Sequence, residues 1–336
     1  MTTSYSIRRR STDSTVGVIC LSVVVVLLAL MPILDSDGSL QTPLVAILYF
    51  LALAQMWNLL AGFAGLISVG QQMFVGIGVY SMLQISEVIG IDPFITVLLA
   101  GVVAAAISIP VALFAFRLKG GYFAIGTWVV AEVVRLLTNE SGSLRGGDVR
   151  SLTRASLGDY SLETRTNVTY WMSLFLAVGA TAIVVFVLRS RTGLALRAVR
   201  DNEDGARGLG VNVTRTKLAI WVLAAFWTGC TGAVILLNTT SATSLSAFSV
   251  LRWTALVIFI VVIGGVGSTP GPILGVIVYW FIESQFESAE NWRFIILGLI
   301  AAAMALYAPT GLWGLVQKWR PVQMFPVRRR LVSDLE

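Results

Sequence analysis

The stretch Val16–Leu34 runs for nineteen residues without a charged side chain, and runs of this kind recur along nearly the whole chain. The hydrocarbon core of a bilayer is about 30 Å thick, so a spanning helix needs roughly 20 mostly apolar residues. Inside that core every backbone N–H and C=O must pair within the protein, which leaves helices or closed barrels as the only spanning structures. Runs of this length are helical, since a barrel strand needs only about ten residues and alternates in polarity. Further runs occupy Leu44–Leu60, Leu66–Ile89, Phe94–Phe116, Tyr122–Thr138, Tyr170–Leu188, Leu218–Leu237, Thr254–Val266, Ile273–Gln285 and Phe294–Ala308. The expected fold is an all-α membrane protein, a polytopic helical bundle of about ten transmembrane helices. Thr254–Val266 and Ile273–Gln285 are short for a straight crossing, so half-helices or a re-entrant pair are also open there. Only 12% of the residues are charged, against about 25% in an ordinary soluble domain.

Charge placement tests this count independently. With residues 1–15 inside the cell and every run crossing, the inner segments hold 17 of the 24 basic residues and 6 of the 18 acidic ones. That is a net +11 inside against −5 elsewhere, the asymmetry expected of cytoplasmic loops. Both termini are therefore expected in the cytoplasm of a prokaryotic cell with the chain in its plasma (inner) membrane. The basic balance reflects topology and points to no nucleic acid. The division that follows is a cytoplasmic segment 1–15, a membrane domain 16–310 and a basic cytoplasmic tail 311–336. No small-x-small cleavage pattern follows Val16–Leu34, so a retained first helix is expected. Trp57, Tyr80, Trp128, Tyr170, Trp171, Trp253, Trp280 and Trp292 fall mostly near run ends, where aromatic side chains anchor helices at the interface. Histidine is absent, and Cys20 and Cys230 lie in apolar runs as small hydrophobes. That argues against a metal site or disulfide framework, and no cofactor is expected.

Three segments carry more than hydropathy. The outer loop 139–168 mixes four basic with four acidic residues. The inner loop 189–217 has helical spacing of apolar and charged residues from Gly193 to Gly208. It reads either as a surface helix offered to a soluble partner, with Leu194 and Ala198 toward the membrane and Arg197, Arg200 and Glu203 outward, or as a basic loop that only sets topology. Glycines at 62, 65, 70, 76 and 78, with Ser68, Gln71 and Gln72, combine close backbone approach with uncharged hydrogen-bonding groups. That is either a substrate path or plain small-residue helix packing. Glu132 and Arg135 are the two charges well inside an expected span. Three residues apart they share a helix face, either paired with each other or lining a path. In a low-dielectric site, removing both should be milder than removing Arg135 alone.

The inner loop contains Arg189-Ser190, Gly193, Ala195-Leu196, Ala198, Arg200, Glu203, Ala206, Leu209-Gly210, Asn212-Val213 and Lys217. This spacing resembles the coupling segment of the branched-chain amino-acid ABC permeases (LivM-like), a family that also includes urea permeases. Gly205 stands where that family usually has Ala, and a helix break is expected there. The run Asn58-Leu59, Gly62, Ala64-Gly65, Ser68, Gly70, Phe74, Gly76, Gly78 and Tyr80 is similar to the family's early signature, with Gln71 where many members carry His. Leu118, Gly120, Tyr122, Ala124-Ile125, Glu132 and Arg135, followed by Gly146-Gly147-Asp148, give a third match. A fourth is Gly264-Gly265, Gly267-Ser268, Gly271-Pro272 and Gly275. Together they cover roughly residues 55–280.

The resemblance implies an ABC importer permease paired with a second, related permease subunit. It also implies separate ATP-binding-cassette ATPase subunits and an extracytoplasmic solute-binding protein, with alternating access driven from the inner loop. Gly65, Ser68, Gly70, Gln71, Gln72, Glu132 and Arg135 become candidates for the substrate path. Leu194, Arg197, Arg200, Glu203, Ala206 and Gly210 become candidates for ATPase coupling, with Ala206 at the docking contact. The implied cargo is a small neutral or zwitterionic solute, a branched-chain amino acid with urea or a short amide as the alternative. No G-x-x-x-x-G-K-[ST] motif is present, so the chain is expected to be a transport subunit and not an enzyme. An autonomous secondary transporter or channel would need its own buried carboxylates for ion coupling, and only Glu132 qualifies.

Overall fold

The computed structural model describes residues 5–8, 12–35, 40–140, 149–152, 160–285, 290–320, 324–325 and 330–333. Among the described residues, eight helices are long and apolar enough to cross a bilayer. They are α1 (Ser14–Leu34), α2 (Gln41–Phe63), α3 (Gln71–Ile89), α4 (Pro93–Ala115), α5 (Gly121–Glu140) and α6 (Leu162–Arg189). Two short helices follow, α7 (Arg191–Asp201) and α8 (Glu203–Gly208). The last long helices are α9 (Val213–Thr239) and α10 (Ser244–Gly264). After them come α11 (Gly271–Gln285), α12 (Glu290–Tyr307) and α13 (Gly311–Trp319).

All ten expected runs are therefore helical, but their lengths differ from expectation. Thr254–Val266 is only the second half of α10, which spans 21 residues. Its first turns are rich in Ser and Thr, and a π turn at Leu251–Ala255 interrupts them, so hydropathy hid the start. α11 has 15 residues, about 22 Å at 1.5 Å per residue, and falls short of a straight crossing. Residues 294–307 of α12 meet α13 at a 47° bend. Strand β1 (Tyr5–Arg8) pairs antiparallel with β4 (Arg330–Ser333), Tyr5 opposite Ser333. Both strands therefore lie on one side, and the number of crossings is even. Eight crossings satisfy that, as do ten if α11 and the α12–α13 pair each cross; nine does not.

α9 is the central helix, its apolar stretch largely enclosed. It meets α3 and α4 through small residues. A Cβ on Gly78 would lie 2.1 Å from the Gly229 carbonyl oxygen, and one on Gly101 would lie 2.3 Å from Cys230 Sγ. α10 and α11 cross in the same way, since a Cβ on Gly275 would lie 1.9 Å from Ile260 O. Backbones approach this closely in lipid because dispersion, not water exclusion, drives the packing. Two cores result, one around α3, α4, α5 and α9, the other around α2, α6, α10, α11 and α12.

The two ends of the bundle differ. At one end Gly17 of α1 lies against Met324, and α7, α8, Lys318 and Phe325 gather nearby. At the other, β2 (Arg150–Ser151) pairs with β3 (Ser241–Ala242), and the Ser244 hydroxyl bonds Asn139 Oδ1 at 3.1 Å. Four of the eight expected interfacial aromatics, Trp57, Tyr80, Tyr170 and Trp253, are buried core residues. The run ends misplaced them, because α2, α6 and α10 extend past the apolar stretches. Trp128, Trp171, Trp280 and Trp292 do stay exposed. Cys230 is buried as expected, but Cys20 is exposed on α1, a helix held mainly at its ends. Toward the C-terminal end of α1, the Tyr170 hydroxyl donates to Leu28 O at 2.6 Å.

Candidate translocation path and coupling site

The stretch expected to begin a helix at Leu66 is extended. α2 widens into a π turn at Leu59–Phe63 and stops. Gly65 then takes the left-handed conformation at φ 71°, which costs glycine nothing and other residues about 1 kcal/mol or more. The Leu66 amide, which a continuing α-helix would aim at Gly62 O, turns back to Leu60 O at 2.9 Å. From there the chain climbs back beside α5 with the two-residue alternation of extended backbone. Gly65 and Ile67 face out, while Leu66, Ser68 and Gly70 face in. The Val69 amide bonds Thr127 Oγ1 at 3.1 Å. Thr127 is six residues into α5, about 9 Å from its N-terminal end at 1.5 Å per residue. α3 therefore starts inside the bundle.

Amide side chains surround this start. Gln71 Nε2 donates to Leu53 O at 3.0 Å, and the Gln72 amide N–H donates to Thr254 Oγ1 at 3.2 Å. The Thr254 hydroxyl also bonds Gln72 Oε1. Gln71 Oε1, Gln72 Nε2 and Gln55 Oε1 are buried and without a hydrogen-bond partner among the described residues. Gln71 and Ser68 border a small cavity with Trp57, Leu60, Phe74 and Thr228. Unspent hydrogen-bonding capacity at a helix break within the membrane is where discontinuous-helix transporters hold solute.

A second break, Gly265–Pro270, separates α10 from α11, with Gly265 at φ 126° and Gly267 at φ 73°. Asn58 bridges the two breaks. Its Oδ1 accepts from the Gly267 amide at 2.8 Å and its Nδ2 donates to Ser268 O at 2.9 Å. Gln55 Nε2 adds a bond to Thr269 O at 3.1 Å. Asn58 opens the early signature named above, but nothing in the sequence marked it as a bridge, and Gln55 read only as a polar residue within an apolar run.

On α5, Arg135 Nε donates to Glu132 Oε1 at 2.8 Å, so the two charges pair with each other. Their side chains keep 20% and 44% of their surface exposed, Arg135 and Glu132 respectively. Glu132 shares the outward face of α5 with Ile125, Val129 and Leu136, about 16 Å from the helix's N-terminal end. A third charge within a span, Arg252, appears because α10 begins earlier than its apolar run; its guanidinium stacks 5.4 Å from the Trp253 ring.

The inner loop reverses the expected faces. Gly193, Leu196 and Val199 of α7 pack inward, while Leu194 is 47% exposed. Arg200 lies on the inward side and donates from Nη1 to Gly62 O at 3.0 Å. The long arginine stem packs as an apolar rod while its head finds a carbonyl, so charge alone was a poor guide to facing. The helix also breaks at Asn202 and not at Gly205. Asn202 Oδ1 accepts from the Gly205 amide at 2.8 Å and caps α8. Ala206 is buried at 2% against Val199 and Val213, so it belongs to the loop's own core and not to a docking surface. Glu203 is held inside the loop, 2.7 Å from Lys217 and 3.1 Å from Arg207. Gly210 forms an exposed turn at φ 81°, and Arg197 borders a groove with Phe63 and Lys318. Gly146-Gly147-Asp148 lie outside the described residues.

A family model described as "Branched-chain amino acid transport system / permease component" matches residues 41–304. The chain belongs to this family. Among curated relatives it is similar to the high-affinity branched-chain amino acid transport system permease protein LivM of Salmonella typhimurium. Identity is 26% over 305 residues, covering 84% of this chain and 71% of the relative. The LivM protein of Escherichia coli is 25% identical with the same coverage. A xylose transport system permease protein, XylH of Escherichia coli, is 29% identical over 119 residues, 33% of this chain and 30% of that protein. No solved structure matches. The protein is thus a multi-pass permease component of a branched-chain amino acid type ABC transport system. In this permease, the early glycine signature builds both a break and a packing surface. Gly76 and Gly78 pack on Phe248 and Gly229, and Gly70 packs on Thr127.

Proposed function

We propose that this permease imports a small neutral or zwitterionic solute, a branched-chain amino acid, along a path between it and a second related permease. Two ATPase subunits drive the cycle from the cytoplasm, and an extracytoplasmic binding protein delivers the cargo. The observation that carries the reading is the Glu132–Arg135 pair, half open on the outward face of α5 at mid-depth. A charge at that depth against lipid is expensive, and water or a second subunit removes the expense. The extended segment at 65–70 supports the same reading, since irregular backbone at membrane depth is tolerated only against protein or a water-filled cavity. Gln71, Gln72 and Ser68 are the groups proposed to meet the solute as the break moves, with Gly65 and Gly70 giving it room.

The ATPase-facing surface in this proposal is the outward side of α7, with Arg191 and Leu194, together with the exposed Leu209 beyond α8. Arg197, Glu203, Ala206 and Gly210 shape the loop that presents it. The end of the bundle carrying this loop and the β1–β4 pair is assigned to the cytoplasm of a prokaryotic inner membrane by its excess of Arg and Lys.

The test is uptake into proteoliposomes holding the permease, its partner permease, the ATPase subunits and the binding protein. ATP-dependent accumulation of leucine, with no accumulation of urea or xylose, is the expected result. Accumulation of urea in place of leucine would move the cargo to the short amides. Accumulation driven by an ion gradient without ATPase would replace the reading with an autonomous transporter.

A further inference from the structure

We propose that Arg200 is the positioning residue that ties the inner helix α7 to the helix break, by capping the open end of α2 from beyond the spanning helices. The inference rests on the reading above that α7 receives the movement of the ATPase.

The open end is a physical demand. Once the Leu66 amide turns to Leu60 O, the Gly62 carbonyl has lost its helical donor. The last carbonyls of a helix together carry about half a negative charge. Arg200 meets that demand with Nη1 at 3.0 Å from Gly62 O. Nε and Nη2 donate to its neighbour, at 3.0 Å and 2.9 Å from Asp201 Oδ1. Three of the five guanidinium N–H groups are thus engaged, which turns the Nη1 edge toward the break.

The surroundings are shaped for this stem. A Cβ on Gly65 would lie 3.3 Å from Arg200 Cγ, and one on Gly267 would lie 3.8 Å from Arg200 Nη1. Arg200 thus stands where the two breaks meet, next to the Asn58 bridge. α7 turns its opposite face, with Leu194, away from the bundle. A displacement of α7 then withdraws or tilts the cap, and the cost of the bare carbonyls is felt at residues 62–70. A hydrogen bond to a charged group is stronger than one between neutral groups, and losing it is on the scale of a typical coupling between sites, about 5–150-fold.

Two measurements separate the cap from the transport reading. Hydrogen exchange is followed on the full permease alone in nanodiscs, comparing wild type with Arg200→Gln and Arg200→Lys. Amides 62–70 should exchange about tenfold faster or more in Arg200→Gln, with the loop 203–217 unchanged. Arg200→Lys should restore part of the protection, because an ammonium reaches one carbonyl but lacks the fork that also holds Asp201. Unchanged exchange at 62–70 would overturn the cap whatever the protein transports. The second measurement uses the assembled transporter. Arg200→Gln should keep ATPase association and ATP hydrolysis but lose most uptake, an uncoupled phenotype. Loss of association in step with uptake would overturn the positioning role and make Arg200 a docking residue. Failure of the wild-type permease to bind any ATPase would refute the transport reading, while the exchange result would still decide the cap.

Discussion

The Glu132–Arg135 pair allows the nature of the α5 face to be measured. Two unit charges roughly 4 Å apart attract by about 1 kcal/mol in water and about 4 kcal/mol at an effective dielectric constant near 20. Pairs open to water contribute less than about 1 kcal/mol net, whereas stripping one partner from a dry pair costs about 3–5 kcal/mol. The residues alone place the pair in a low-dielectric span, where the double substitution is milder than Arg135→Gln by itself. The exposure of Glu132, 44% against 20% for Arg135, changes that expectation, because the carboxylate is the more open partner and stays hydrated when Arg135 is removed. The experiment is a double-mutant cycle with Glu132→Gln, Arg135→Gln and both, reading reversible unfolding in mixed micelles and thermal stability of the assembled transporter. A coupling energy below about 1 kcal/mol is expected in both. A coupling of about 3 kcal/mol or more in the assembly, with the double substitution clearly milder than Arg135→Gln, would refute a water-lined face. It would make the pair a sealed structural contact.

Ala206→Asp places an unpaired charge in the small core with Val199 and Val213. It should cost several kcal/mol and make 203–217 protease-sensitive in the isolated permease; unchanged resistance would contradict that packing. Gly275→Ala should cost about 1–3 kcal/mol through overpacking, read as a lower melting temperature. Gly208→Ala, whose added Cβ meets nothing within 4 Å, should leave the melting temperature unchanged. In a background lacking Cys20 and Cys230, an impermeant thiol reagent on intact cells should label Ser151→Cys but neither Leu209→Cys nor Ser333→Cys. Labelling of Ser333→Cys in intact cells would invert the topology.

The bilayer made the helices legible, because its thickness sets a length that apolar runs must meet, and all ten expected runs are helical. What failed were features that hydropathy does not encode. Leu66 and Ile67 are as apolar as any helix residue, yet Gly65 and the turned-back Leu66 amide end α2 before them. The facing of α7 was read from charge, with arginine outward and leucine toward the membrane. The packing instead uses the stem of Arg200 and the side chains of Leu196 and Val199, and leaves Leu194 outside. The Glu132–Arg135 contact was legible from its spacing, since i and i+3 meet on any helix. The Asn58 bridge was not, because its partners lie more than 200 residues away.

The β1–β4 ladder has a consequence for the order in which the molecule is made. Its partners are separated by more than 320 residues, and closing a free loop of that size costs about 5 kcal/mol beyond a constant offset. Four residue pairs at the edge of a membrane protein have little to set against such a cost. The ladder forms because the inserted helices have already returned the chain to the side from which it started. β4 follows every helix of the bundle in the chain, so β1 waits unpaired until the helices between them have been made. The closed ladder is therefore a mark of completed insertion, and a chain with a helix missed or inverted would leave both strands open on opposite sides of the membrane.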